Sequence, residues 1–107
     1  MLFVVTDATG SDYLLNALCA EGVTDLFGLI GEGNAYLLDR THDHGVEYHY
    51  ARHEQVAVGM ADGYAPLTGH VGVCTLTHGP RLTNDVTSIA AADRDGVPLV
   101  ILVGDTA

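Results

Sequence analysis

The sequence contains no lysine; its only permanent cations are Arg40, Arg52, Arg81 and Arg94, set against fourteen Asp and Glu. A formal net charge of -10 leaves no basic face with which to neutralise phosphates, so nucleic acid is not an expected partner. Acidity of this degree without lysine points to a halophile, whose salt-rich cytoplasm screens the self-repulsion. Cysteine is scarce as well. Cys19 and Cys74 are too few and too far apart for a disulfide framework, and no C-x-x-C pair offers a redox or zinc site, so two buried thiols are expected. Met1 to Thr6 is apolar but short, lacks a basic leader and runs straight into Asp7. It reads as neither signal peptide nor anchor, and the expected location is the cytoplasm, with no membrane partner. Internal repeats, linkers and low-complexity tracts are also missing.

What is present is the composition of a folded unit: 107 residues, 48% hydrophobic, with thirteen glycines. A chain of this length makes one domain at most and buries about two-thirds of its unfolded surface. Helix-like and strand-like periods alternate along it, the pattern of stacked βα units on a parallel sheet. The expected class is α/β, a three-layer α/β/α arrangement with a mostly parallel sheet.

The first helix is expected over 11–21, with Leu14, Leu15 and Leu18 on one face, Ser11 or Asp12 as cap and Gly22 as stop. Strands are expected at 24–29, 46–51 and 71–76, and helices at 33–43, 53–65 and 81–94, the 53–65 helix ended by Pro66 and Gly69. Pro98–Val103 is an uninterrupted apolar run of the kind covered on both faces inside a parallel sheet, and should not form a bare edge. Since the sequence stops soon afterwards, residues 1–107 are read as a single, incomplete domain.

Chemistry-bearing residues gather where strands end. Gly28 to Asn34 follows a strand and precedes a helix, where open α/β sheets place ligands. It matches neither G-x-G-x-x-G nor a P-loop and has no lysine, which argues against a nucleotide phosphate. Thr77-His78-Gly79-Pro80 closes another strand in the same way. His42, His44, His49, His53 and His70 form no convincing metal set: His49 and His53 are four apart but lie on either side of a strand-to-helix junction. No metal ligand is assigned.

Ala51-Arg52-His53-Glu54-Gln55, then Gly59-Met60-Ala61-Asp62-Gly63-Tyr64-Ala65 and Thr68-Gly69, form an ordered series. With Gly31-Glu32-Gly33-Asn34, Gly79-Pro80, Thr83-Asn84 and Asp95-Gly96-Val97-Pro98, it resembles the N-terminal pyrimidine-binding domain of thiamine-diphosphate enzymes of the acetolactate synthase, pyruvate oxidase and benzoylformate decarboxylase group. The resemblance implies that Glu54 meets N1' of the cofactor's aminopyrimidine and shares its proton, activating the cofactor toward a small 2-oxo acid. Burial would raise such a carboxyl's proton affinity and a helix N-terminus would lower it. It further implies contacts to thiamine diphosphate from Gly31, Glu32, Gly33, Glu54, Thr77, Gly79 and Asn84. His78 is read either as a second catalytic residue, donating a proton to an intermediate, or as a solvated loop histidine.

Gly104-Asp105-Thr106 lacks the second glycine and downstream asparagine of the family's Gly-Asp-Gly metal motif. Magnesium and the diphosphate are therefore expected on a separate diphosphate-binding domain, across a homodimer or on a partner subunit, and the chain should not catalyse alone. Three positions depart from the pattern: Ile30 for proline, Pro66 for arginine, and Arg81 for a glycine, the last casting doubt on the usual loop backbone. Arg81, Pro66 and the early stop motivate an alternative, a non-catalytic fragment or interaction module that keeps the fold. A flavodoxin-like or receiver domain finds no phosphate-binding or acidic-pocket signature.

Overall fold

A computed structural model describes residues 8–105. Met1–Thr6 and Thr106, read above for a leader and for a metal motif, lie outside the described residues. The elements are α1 (Gly10–Ala20), β1 (Asp25–Gly28), α2 (Ala35–Arg40), a 3-10 turn over His42–His44, β2 (Glu47–Tyr50), α3 (Glu54–Thr68), β3 (Gly72–Leu76), α4 (Pro80–Thr83), α5 (Val86–Arg94) and β4 (Leu99–Val103). The four strands form one parallel sheet in the order β2-β1-β3-β4. Its neighbours β1 and β3 are joined through β2 on the far side of β1, so the chain leaves them in opposite directions and a switch point opens between them.

Strand alternation assigns the two layers of helix. Leu26, Val73 and the half-buried Tyr48 and Leu102 point to one face, where Leu15 of α1 and Leu37 and Leu38 of α2 cover them. Phe27, Cys74, Leu76 and the half-buried Ile101 point to the other, where Ala57, Val58 and Ala61 of α3 and Ile89 of α5 close over them. β3 is buried along its whole length, as expected of a strand inside a parallel sheet. The three-layer α/β/α class is therefore correct.

Four local expectations are corrected. The cap of α1 is Thr9, whose hydroxyl accepts the Asp12 amide while the Asp12 carboxylate accepts back from Thr9, a reciprocal capping box; Asp12 is its third-position partner rather than the cap. That carboxylate also takes two hydrogen bonds from Arg40 at 2.9 and 3.2 Å and contacts His44 at 2.8 Å. Thr9, His44 and Arg40 together hold it well below the usual carboxylate range. Pro66 does not end α3 but lies inside it; the helix runs on to Thr68 and stops at Gly69, in the left-handed region at φ 75°. Near the end of a helix, proline's missing amide removes only one bond.

The helix expected over 81–94 is broken into α4 and α5, because Asn84 and Asp85 form a turn whose amides bond back to Pro80 and Leu82. The break also answers the doubt about Arg81, which sits in a helical turn; among the described residues positive φ is confined to glycine, including Gly79 at φ 68°. Finally, β4 pairs only with β3 and is an edge strand among the described residues, leaving Val100 and Val103 exposed. Its apolar run is used on both faces but on one edge.

Candidate functional site

The loops that leave β1 and β3 diverge at the switch point and are stitched across it. The Gly33 amide donates to Thr77 Oγ1 at 2.9 Å. Buried Asn34 accepts the Gly31 amide at 2.8 Å and donates to the Leu29 carbonyl and Thr75 Oγ1 at 3.1 and 3.3 Å. A Cβ on Gly33 would stand 2.7 Å from Thr77 Oγ1 and 2.8 Å from the Gly104 carbonyl carbon, and one on Gly31 would meet Thr77 Cγ2 at 2.6 Å. Both glycines are thus required by the closeness of neighbouring loops: the ends of β1 and β3 meet at Gly33 and Thr77, and Gly104 after β4 packs on Gly33.

Glu54 opens α3 at the same end of the sheet. His53 caps the helix, its Nδ1 accepting the Gln55 amide at 3.1 Å, which turns Glu54 inward, where it is 6% exposed. Arg81 Nε approaches Oε1 at 3.7 Å and His53 Nε2 approaches Oε2 at 4.0 Å. Neither is a hydrogen bond, so the carboxylate keeps lone pairs available although it is buried. Arg81 also donates to the Ile30 carbonyl at 3.1 Å, bridging Glu54 to the β1 loop.

Beside this bridge lies a cavity of about 320 Å³ walled by Glu32, Thr77, His78, Pro80 and Arg81. Thr77 Oγ1 accepts the Gly33 amide and also lies 3.2 Å from His78 Nδ1, which ties the histidine ring to the same hydroxyl. Three of the expected residues, Glu32, Thr77 and His78, therefore share one cavity, and Arg81, a cavity wall, contacts Glu54. Gly31 and Gly33 shape the adjoining loop. Gly79 caps α4 with an exposed backbone, and Asn84 is exposed at the α4–α5 break, away from the cavity walls.

Two groupings were not expected from the sequence. Asp25 and Glu47 are opposite each other on β1 and β2, and with His49 they place three possible ligand atoms within 4.8 Å of one another. Asp25 is already engaged by Thr24, His49 and Tyr64 at 2.6, 2.7 and 3.2 Å, an internal network that draws its carboxyl below the usual range. The second is Asp85, 0% exposed, with neither oxygen hydrogen-bonded. Burial first, then the charge of Glu54, pushes its carboxyl up to about 6. Cys74 beside it is pushed up to about 12, first by burial and then by Asp85. In sequence Asp85 falls inside the helix expected over 81–94, and only the enclosure of both its oxygens without a donor marks it as different.

Among the described residues no helix is long and apolar enough to cross a membrane. The sequence pattern of the thiamine pyrophosphate enzyme N-terminal TPP binding domain matches residues 8–107. The chain is 42% identical over 100 residues to the acetolactate synthase isozyme 3 large subunit of Escherichia coli, covering 92% of this chain and 17% of that protein. It is 43% identical over 104 residues to an acetolactate synthase of Arthrospira platensis, covering 94% and 18%. An X-ray structure assigned to a thiamin diphosphate-dependent enzyme of Mycobacterium smegmatis superposes with a TM-score of 0.83 at 31% identity, covering 92% of this chain and 19% of that one. The chain thus spans less than a fifth of the length of these relatives. With its parallel sheet and helices on both faces, it belongs to the N-terminal TPP-binding domain family of thiamine pyrophosphate enzymes.

Proposed function

We propose that this chain is the aminopyrimidine-binding half of a thiamine-diphosphate site in an acetolactate synthase-like enzyme of 2-oxo acids, with Glu54 as the residue that meets the pyrimidine ring. The observation that carries this is a buried carboxylate at the switch point with no hydrogen-bond donor at bonding distance among the described residues. A ring nitrogen carrying a proton is the kind of partner such a group lacks. The donor set fits the cofactor in other ways: Gly31 and Gly33 let the β1 loop lie close against Thr77, and Thr77 and His78 add polar groups to the cavity wall.

When bound, the cofactor supplies the electron sink for bond making and breaking beside a carbonyl. The chain's share is to hold and move a proton at the Glu54 carboxylate, to orient the ring through the loops around Thr77, and to offer a ring nitrogen of His78 to the cavity. Magnesium and the diphosphate belong, on this reading, to a separate domain supplied by a homodimer mate or partner subunit. The setting is a cytoplasm, and the acidity without lysine supports a halophilic one.

The test combines the chain with a candidate diphosphate-domain protein, thiamine diphosphate and magnesium, and follows pyruvate consumption. Glu54→Gln should lower the rate by about 10²–10⁴-fold, the usual contribution of a positioned proton-transfer group. Equal rates in both proteins would remove Glu54 from the chemistry. Arg81 favours a second reading, a non-catalytic interaction module, because its guanidinium stands 3.7 Å from the carboxylate. If Arg81→Gly restores an activity that the wild-type chain lacks, that arginine blocks the site.

A further inference from the structure

Asp25, Glu47 and His49 gather at the opposite end of the sheet from Glu54. Asp25 opens β1 and Glu47 opens β2, and the parallel register sets them directly opposite each other. His49, two residues after Glu47, projects from the same face. One imidazole nitrogen and two carboxylate oxygens thereby lie within 4.8 Å of one another. Like charges opposite each other on neighbouring strands destabilise a sheet. Relief from within the protein is scarce, since there is no lysine and, among the described residues, the ion pairs of arginine go to Asp12, Asp43 and Glu54. The surroundings also orient the group. The His49 ring is stacked on Phe27, centroids 5.1 Å apart and planes 22° apart, and its Nε2 meets Asp25 Oδ1 at 2.7 Å. Asp25 Oδ2 accepts from the Thr24 hydroxyl at 2.6 Å and the Tyr64 hydroxyl at 3.2 Å. Oδ1 is thus left with the imidazole alone, although each carboxylate oxygen has two lone pairs. Glu47 is exposed and closes on the pair from the solvent side.

We propose that Asp25, Glu47 and His49 bind a divalent transition ion of the zinc type, through His49 Nε2 and one oxygen of each carboxylate, with water in the remaining position. An imidazole among the ligands favours such an ion over magnesium or calcium, which prefer oxygen alone. Ligand bonds of about 2.0–2.2 Å in a tetrahedral site require Nε2 and Asp25 Oδ1, now 2.7 Å apart, to separate by less than about 1 Å. A carboxylate only accepts, so Nε2 carries the hydrogen between them. On binding, that N–H bond breaks, its proton goes to solvent, and the freed lone pair takes the ion while Nδ1 carries the ring's proton. Tyr64 and Thr24 hold the Asp25 carboxylate from behind, as hydrogen-bonded neighbours do for metal ligands. The ion offsets the paired carboxylates and ties β2 to β1, with α3 joined through Tyr64.

The experiment is a calorimetric titration of the full 107-residue chain, stripped with a chelator, with zinc chloride, the histidine ring resonances being followed by NMR in parallel. The wild type should show a single saturable step that shifts the His49 ring and raises the urea midpoint. His49→Gln should abolish the step. Tyr64→Phe should weaken it by about 10–100-fold, the usual cost of losing a group that orients a ligand. Glu47→Gln removes a ligand at an exposed position and should weaken it at least as much; this variant serves if His49→Gln does not fold. Magnesium should leave the His49 ring unmoved, and a magnesium response equal to that of zinc overturns the transition-ion assignment. The absence of a saturable zinc step overturns the site. So does equal binding by the wild type and Glu47→Gln, which would put the ion on other histidines. The ion takes no part in the chemistry proposed at Glu54, and Glu54→Gln should bind zinc as the wild type does. Loss of binding in that variant would move the ion to the other end of the sheet and overturn the assignment.

Discussion

Replacing Asp85 by asparagine should make the protein more stable, and by an amount that depends on pH. The buried carboxyl titrates at about 6 in the folded chain against an ordinary 3.8. A raised carboxylate value means that the folded state binds more protons than the unfolded state between those limits, so wild-type stability falls as pH rises through that window. Two pH units at about 1.4 kcal/mol each set an upper bound of roughly 3 kcal/mol, and solvent screening at the adjoining site brings this to about 1–2 kcal/mol. An asparagine side chain, of similar size and uncharged, has no such dependence. Urea unfolding at a series of pH values from below 4 to 8 should show the two proteins alike at the acid end. The Asp85→Asn variant should then gain progressively until pH 6 or 7 and hold a constant advantage above. An advantage that is the same at every pH, or a variant less stable at pH 8, would refute the claim that Asp85 is an enclosed acid without partners.

Asp12 should behave with the opposite sign. Its lowered value contributes stability that is complete above the ordinary 3.8 and is lost as pH falls through the folded value, so Asp12→Asn should be the weaker protein at pH 7 and the difference should shrink on acidification. Amide exchange in α1 is the direct measure. Gly33→Ala should cost about 1–3 kcal/mol by overpacking, since its Cβ would press on Thr77 Oγ1 at 2.7 Å and the Gly104 carbonyl carbon at 2.8 Å. Denaturant midpoints test this, and an unchanged midpoint would show that the loops are not held in contact. Cys74, with its thiol pushed up to about 12 and no exposure, should resist alkylation in the native chain at pH 8, whereas half-buried Cys19 should label first. Mass spectrometry of the labelled peptides decides it.

Much of the architecture was legible because it is written in local periodicity. Leu15 and Leu18 on one face of α1, the apolar run of β3 and the αL glycine after α3 are features of neighbouring residues, and these three elements fell within a few positions of expectation. Boundaries failed where a residue's local habit was overridden. Proline's missing amide predicts a stop at Pro66, but one bond lost in the last turns of α3 does not outweigh the helix's packing over Phe27 and Cys74. The α4–α5 break was hidden by an apolar spacing that runs through Asn84 and Asp85 without interruption.

The site divides along the same line. The class of fold, the acidic surface, the loops that end β1 and β3, and Glu54 at the start of a helix were all readable from residue type and near-neighbour order. Folding was needed to join Thr77 to Gly33, to stand Arg81 between Ile30 and Glu54, and to close in Asp85 without a donor. Those relations connect residues up to 51 positions apart. They arise when packing brings strand ends together and withdraws water, and no local period encodes which polar groups then meet.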